Sequence, residues 1–189
     1  MAQIMNTEKN IKTLIVKNPL KLDCGKTIKD FPIAYETYGS LNSKKDNAIL
    51  VFHALTGDQF VTGINPVTKK EGWWSYVVGP HKAIDTNKYF VICSNVIGGC
   101  MGSYGPSHKN PDNQNIFGKN FPVITINDMV NAQYNLLDHF GIDKLFSIAG
   151  GSMGGMQVLQ FISNFPDKSK TVVPIATTSS HSAQNIAFN

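Results

Sequence analysis

Short apolar segments that end abruptly in glycine-rich or histidine-bearing loops constrain the fold of this chain most. The clearest three are Ala48–Phe52, Tyr89–Cys93 and Leu145–Ala149. A continuous apolar run of this length, bounded by turn signals, is typical of a strand buried on both faces of a parallel sheet. A fourth run, Thr171–Ala176, also predicts a strand, although Pro174 within it is unusual away from a sheet edge.

Helical segments separate these strands. The segment from Thr125 to Gly141 begins with a capping-box-like pattern, carries apolar residues at helical spacing and ends at a glycine. A second predicted helix, Met153–Phe165, is stopped by Pro166. Strands that alternate with helices form a mostly parallel sheet flanked by helices, so we predict one α/β domain over residues 1–189, with its core from about residue 30 onward. An earlier segment, Phe31–Gly39, predicts a strand antiparallel to residues 14–16.

Composition argues against several kinds of partner. The chain has 17 lysines and no arginine, and its net charge is +4. The lysines are spread thinly along the sequence and form no basic cluster, so we expect no nucleic-acid partner. The three cysteines form no CxxC pair, which argues against a disulfide framework or a metal site. Residues 1–17 do not resemble a secretory signal and no apolar run reaches the length of a membrane span, so we expect a cytoplasmic protein without a membrane partner.

The sequence Gly-Gly-Ser-Met-Gly at residues 150–154 matches the G-x-S-x-G pattern of a nucleophile elbow. It lies between a predicted strand and a predicted helix, as that motif requires. The serine of such an elbow occupies a sharp, strained turn, so small residues must stand two positions away on each side, here Gly150 and Gly154. We therefore predict Ser152 as a catalytic nucleophile. A plain tight turn is the alternative, whereas a dinucleotide-binding turn would need glycine at the position of Ser152.

An acyl-transfer site also needs hydrogen-bond donors for the developing oxyanion. The backbone N–H of Met153, next after the nucleophile, is one expected donor. The second should come from the loop after an earlier strand, and we nominate the N–H of Leu55. Carboxyl ends of parallel strands share one edge of a sheet, so three loops are expected to meet there: residues 53–57, 98–106 and 150–155. His53 is interpreted as positioning the first loop, and residues 98–106 either shape an entrance or form a plain loop.

Longer blocks of the sequence resemble the homoserine O-acetyltransferase family, from about Asp30 to the last residue. The matching blocks are Gly150–Gln157, Phe52–Asp58, Gly72–Trp74, Ile84–Thr86, Tyr89–Asn95, Gly98–Cys100, Gly105–Pro106, Phe121–Pro122, Asp128–Met129 and His181–Asn189. This resemblance implies an α/β-hydrolase fold, with a helical lid inserted after the strand that ends near Ala176. The paired Trp73 and Trp74 either line a pocket or pack in the core.

The resemblance also implies a reaction. Ser152 would take an acetyl group from acetyl-CoA as an acyl-enzyme and pass it to the hydroxyl of L-homoserine, the first committed step toward methionine. Such a mechanism is ping-pong and needs no cofactor besides the co-substrate acetyl-CoA. We expect the intact protein to be a homodimer. Alternatives left open are a succinyl-CoA donor, a serine acceptor, or an esterase or hydrolase of the same fold.

Two members of the family's catalytic triad are not evident in the sequence. The family order is Ser, Asp, His, yet only Asp167 and His181 represent these residue types after Ser152, and neither is expected to fill the role. No arginine is present to bind a substrate carboxylate. We therefore expect an N-terminal part of the domain, truncated before the lid and the last strands and inactive by itself. A non-catalytic binding or interaction piece is the remaining alternative.

Overall fold

A computed structural model describes residues 11–188 of the chain, so most of the segment examined for a secretory signal lies outside the described residues. Within them are three α-helices: α1 (Ile126–Phe140), α2 (Met153–Asn164) and α3 (Ala183–Phe188). The ten described strands are β1 (Lys12–Val16), β2 (Leu20–Lys21), β3 (Thr27–Ile28), β4 (Phe31–Tyr38), β5 (Ala48–Phe52), β6 (Val78–Gly79), β7 (Ile84–Asp85), β8 (Phe90–Ser94), β9 (Leu145–Gly151) and β10 (Ser169–Ile175).

Six of these strands form one sheet, in the order β1-β4-β8-β5-β9-β10. The four strands from β8 to β10 in this order run parallel, and β4 and β1 add an antiparallel edge, with Val16 opposite Phe31. The predicted mostly parallel α/β architecture is therefore confirmed. β8 is displaced by one residue from its predicted bounds. Within the described residues, β10 pairs with β9 alone and lies at an edge, which is where a strand tolerates Pro174.

The helices are held by the local signals that predicted them. At the start of α1 the Thr125 hydroxyl accepts a hydrogen bond from the Asp128 N–H at 3.2 Å, and the Asp128 carboxylate accepts one from the Thr125 N–H at 3.0 Å. Gly141 ends the helix with φ 65°. The apolar sides of α1 and α2 cover one face of the sheet, where the ring centroids of Phe52 and Phe161 are 6.0 Å apart. Among the described residues, no helix is long and apolar enough to cross a membrane.

A second, smaller core covers the opposite face of the sheet. The indole rings of Trp73 and Trp74 stack with their centroids 5.5 Å apart and pack against buried side chains that include Val51 and Val91. The Trp73 Nε1–H donates to the carbonyl oxygen of Asp58 at 2.9 Å, so this indole has the polar partner that burial requires. The structure therefore supports core packing of the two tryptophans rather than a role in lining a pocket.

The order of the strands places a crevice beside β5. After β5, the chain adds β8 on one side of β5 and then adds β9 and β10 on its other side. The strand order therefore reverses between β5 and β9. Phe52, the last residue of β5, is the register partner of Gly150 in β9. Ligands of open α/β sheets bind outside the carboxyl ends of the strands at such a reversal. The fold therefore directs the search for a site to the loops that follow β5 and β9.

Candidate active site

Ser152 occupies a strained backbone conformation between β9 and α2. Its φ is 55° and its ψ is −121°, a region that residues with a Cβ atom rarely adopt. Hydrogen bonds hold the turn: the Ser152 N–H donates to the carbonyl of Ile175 at 3.0 Å, and the Ser152 carbonyl accepts from the Thr177 hydroxyl at 2.9 Å. The side chain is exposed. These features are those of a serine presented for chemistry on a nucleophile elbow.

Close packing explains the glycines around Ser152. A Cβ atom added to Gly150 would lie 2.5 Å from the Gly154 carbonyl oxygen, and one added to Gly154 would lie 2.8 Å from the carbonyl carbon of Phe52. The elbow therefore packs directly against the end of β5, with no room for a methyl group. A Cβ at Gly155 would instead lie 2.6 Å from the Cβ of Thr177, so this glycine accommodates the residues after β10.

The three loops expected to meet do line one cavity of about 530 Å³. His53 and Leu55 come from the loop after β5, Gly98 and Pro106 from the loop after β8, and Met153 from the elbow. Apolar side chains form much of the remaining wall: Val96, Ile97, Phe121, Pro122, Ile124 and Met129. The loop of residues 98–106 thus does shape the cavity. Ser152 is not itself a lining residue of this cavity but directly precedes one.

Two backbone N–H groups are available for an oxyanion at this cavity. Within residues 11–188, neither the Leu55 N–H nor the Met153 N–H donates a hydrogen bond to another group of the chain. Both residues line the cavity, and Met153 is the first residue of α2, whose N-terminus carries partial positive charge. The structure therefore brings the two nominated donors to one site. Their role as an oxyanion hole stays a prediction.

His53 is buried at the base of the loop after β5, and both of its ring nitrogens are occupied. Its Nε2 accepts a hydrogen bond from the Val96 N–H at 3.2 Å, so the ring proton is on Nδ1, which donates to the Ala54 carbonyl at 2.7 Å. Burial lowers the pKa of His53, against the opposing effects of the Ala54 carbonyl and Asp58. A neutral imidazole with no free nitrogen fits a positioning role better than that of a general base.

This burial predicts a pH dependence of folding. Because the pKa of His53 is lowered in the folded chain, the unfolded chain binds a proton at a higher pH than the folded chain does. The stability contributed by the neutral ring is complete above about pH 6.5, the unfolded value, and is lost as the pH falls below it. We expect His53→Gln to flatten the fall in unfolding free energy between about pH 7 and pH 5. Denaturant titrations across this range measure it, and an unchanged slope in the variant would contradict the prediction.

The structure does not bring the two other candidate triad residue types to Ser152. Asp167 is exposed in the turn before β10, at the end of the strand remote from Ser152. His181 is exposed and lines a separate cleft with Met156 and Ser180. Among residues 11–188, no imidazole or carboxylate forms a hydrogen bond with the Ser152 hydroxyl. The described part of the chain therefore holds the predicted nucleophile and the predicted oxyanion donors, and it places no general base beside Ser152.

Comparison with known proteins agrees with this geometry. Residues 47–187 match the sequence profile of a family described as the alpha/beta hydrolase fold. The chain belongs to the α/β-hydrolase fold family. Among curated relatives of this α/β-hydrolase, the homoserine O-acetyltransferase of Pelagibacter ubique is 73% identical over 98% of this chain and 50% of its own length. The resemblance inferred from the sequence is thereby confirmed.

Solved structures related to this α/β-hydrolase carry two kinds of name. The crystal structure of homoserine O-acetyltransferase from Bacillus anthracis has a TM-score of 0.85 and 30% identity, covering 92% of this chain and 48% of that one. An acetylester hydrolase from Corynebacterium glutamicum has a TM-score of 0.75 and 34% identity, covering 94% of this chain and 47% of that one. The chain spans about half the length of the curated relatives it matches.

Sequence reasoning missed several buried polar residues next to the site. Asn95 and Ser103 hold the loop after β8: the Asn95 Oδ1 accepts from the Met101 N–H at 3.0 Å, and the Ser103 hydroxyl donates to the Asn95 carbonyl at 2.5 Å. Gln133 and Gln157 are fully buried between α1 and α2. The signal that could have found the glutamines is a polar residue at a core position of an otherwise apolar helix face.

Proposed function

We propose that the intact protein is a homoserine O-acetyltransferase that works through a Ser152 acyl-enzyme. The observation that carries this proposal is the position of Ser152, which is strained and exposed beside the cavity. Leu55 and Met153 line this cavity, and their backbone N–H groups donate no hydrogen bond within residues 11–188. This arrangement fits nucleophilic acyl transfer in general. The choice of acetyl group and homoserine rests on the similarity to relatives of that name.

The proposed reaction has two half-reactions. The Ser152 Oγ attacks the thioester carbonyl of acetyl-CoA, and negative charge develops on the carbonyl oxygen between the two N–H donors. The C–S bond then breaks, and the coenzyme A thiolate leaves and takes up a proton. In the second half, the hydroxyl oxygen of L-homoserine attacks the serine ester, and Ser152 regains its proton as the product ester leaves. Proton transfer in both halves needs a general base, which residues 11–188 do not place beside Ser152.

The wall of the cavity suits an uncharged acyl group. Among the described residues that line it there is no aspartate, glutamate or lysine, and His53 is held neutral. An acetyl group gains from such an apolar surface, whereas the free carboxylate of a succinyl group would lose hydration there. We therefore favour acetyl-CoA as the donor and keep succinyl-CoA as the alternative. A cytoplasmic location remains part of the proposal and accords with the free thiols of Cys24, Cys93 and Cys100.

The test is whether acyl transfer depends on the acceptor. The intact protein, expressed from its complete coding region, is expected to convert acetyl-CoA and L-homoserine to the O-acetyl ester with ping-pong kinetics, seen as parallel lines in double-reciprocal plots. Release of coenzyme A without homoserine should be slower by at least about 10-fold, since the acyl-enzyme turns over slowly when its acceptor is absent. Product is followed by mass spectrometry and free thiol by absorbance.

An esterase is the second candidate, because a solved acetylester hydrolase is 34% identical to the chain. In that case water replaces the acceptor hydroxyl. Release of coenzyme A, or hydrolysis of a simple acetate ester, would then proceed at the same rate with and without homoserine, and no O-acetyl ester of homoserine would accumulate. This outcome would contradict the transferase and support the esterase.

A further inference from the structure

A relay of buried hydrogen bonds runs from β8 to the two chain segments that carry the candidate oxyanion donors. The Ser94 hydroxyl donates to the Gln133 Oε1 at 2.9 Å, and the Gln133 Nε2 donates to the Gln157 Oε1 at 2.6 Å. The Gln157 Nε2 in turn faces two carbonyl oxygens, that of His53 at 3.4 Å and that of Met153 at 3.5 Å. The three side chains of the relay are each at most 1% exposed.

The chemistry of the groups fixes the direction of this relay. The carbonyls of His53 and Met153 can only accept, so the Gln157 amide must turn its NH₂ group toward them. Its oxygen then faces Gln133, which must donate, and the Gln133 oxygen is left to accept from the Ser94 hydroxyl. Both amides are thereby locked in one orientation. A reversal of Gln157 would turn its NH₂ group toward that of Gln133 and its oxygen toward two carbonyls, and a reversal of Gln133 would turn its oxygen toward that of Gln157.

The far end of the relay touches both chain segments that carry the donors. The His53 carbonyl lies on the segment that leads into Leu55, and the Met153 carbonyl belongs to the residue that carries the other donor. We propose that Gln157 is a positioning residue, whose amide group sets the separation of the Leu55 and Met153 N–H groups across the cavity. This inference rests on the proposed acyl-transfer function of Ser152. It gives a reason for burying two glutamines where apolar side chains would pack as well.

Another glutamine of α2 provides a matched control. The amide of Gln160 donates to the Asn164 side chain at 2.8 Å and lies within 3.5 Å of the Asn127 side chain, away from the cavity. Gln157→Met and Gln160→Met therefore remove the same amide from the same helix. Only the first removes a contact with the segments that carry the donors.

The experiment compares acylation rates of the intact protein and its variants. p-Nitrophenyl acetate is the probe, because it reports acylation of Ser152 whichever acceptor the protein uses. We expect Gln157→Met to lower kcat/KM for acylation by about 10- to 100-fold, since a small displacement of one donor weakens oxyanion stabilisation. Affinity for a trifluoromethyl ketone, which forms an oxyanion on the serine, should fall by a similar factor. Gln160→Met should stay within about 2-fold of the wild type on both measures.

The outcomes separate the inference from the function on which it rests. A wild-type protein that acylates but does not transfer to homoserine contradicts the proposed acceptor and leaves the relay testable by the same probe. Equal acylation rates in Gln157→Met and wild type overturn the positioning role, as does an equal loss of rate in both methionine variants. If Gln157→Met does not fold, Ser94→Ala is the variant that tests the positioning role. It removes one hydroxyl at the start of the relay, and an acylation rate equal to wild type in this variant overturns the inference.

Discussion

Replacing Ser152 with alanine is expected to abolish acyl transfer by the intact protein, lowering kcat by about 10⁴-fold or more. The loss is this large because the hydroxyl oxygen forms the ester bond in the first half-reaction and is released from it in the second, and alanine has no group that can do this. The wild-type protein mixed with acetyl-CoA alone should gain the mass of one acetyl group on the peptide that contains Ser152. The alanine variant should show no such increase.

Ser163→Ala is the matched control for this substitution. Ser163 is an exposed serine in the last turn of α2, at the other end of the helix from Ser152, so its removal should leave turnover within about 2-fold of the wild type. Both variants should unfold at denaturant concentrations close to that of the wild type. Turnover retained by Ser152→Ala, or an acetyl group found on another residue, would rule out the acyl-enzyme proposed here.

A methyl group at Gly154 is expected to destabilise the fold by about 3 kcal/mol or more and to distort the elbow. The added Cβ would lie 2.8 Å from the Phe52 carbonyl carbon, closer than real Cβ contacts come, and at a tight 3.0 Å from the His53 carbonyl oxygen. These are backbone atoms of β5 and the loop after it, so they cannot rotate away as a side chain would. Chemical unfolding of Gly154→Ala measures the loss, and acylation by p-nitrophenyl acetate should fall with it.

Gly151→Ala is the control, because this glycine lies in the same turn without the same crowding. Its added Cβ would find only the Ile175 carbonyl oxygen, at 3.9 Å, which is an ordinary contact. We expect a change in unfolding free energy within about 0.5 kcal/mol. Equal stabilities of the two alanine variants would show that the elbow does not pack against β5 in the manner described.

Features encoded over a few neighbouring residues could be predicted from the sequence. The capping pattern at Thr125 and Asp128 and the glycine at position 141 bound α1 as expected. The G-x-S-x-G pattern predicted a strand–turn–helix, and the positive φ of Ser152 agrees with it. Each of these features depends on hydrogen bonds or steric limits within one or two turns of chain, where residue type restricts the backbone directly.

Features that join distant segments could not be predicted in this way. The relay from Ser94 through Gln133 to Gln157 links three elements, and nothing in the local sequence indicates which polar side chains will face one another. The tautomer of His53 likewise depends on the Val96 N–H, which comes from the loop after β8. Whether Trp73 and Trp74 line a cavity or fill a core likewise depends on how the second face of the sheet is packed.

The sequence by itself determined the order of the main strands and helices and their bounds to within about two residues, that a serine would stand on a strained turn, and which protein family the chain resembles. Only the tertiary structure decided that Leu55 and Met153 line one cavity, that Gly154 packs against Phe52, and that His53 is neutral with both nitrogens bonded. The physical reason is the range of the interactions. Backbone preferences act between neighbours in the chain, whereas a site is assembled by sheet pairing and burial between residues about 100 positions apart.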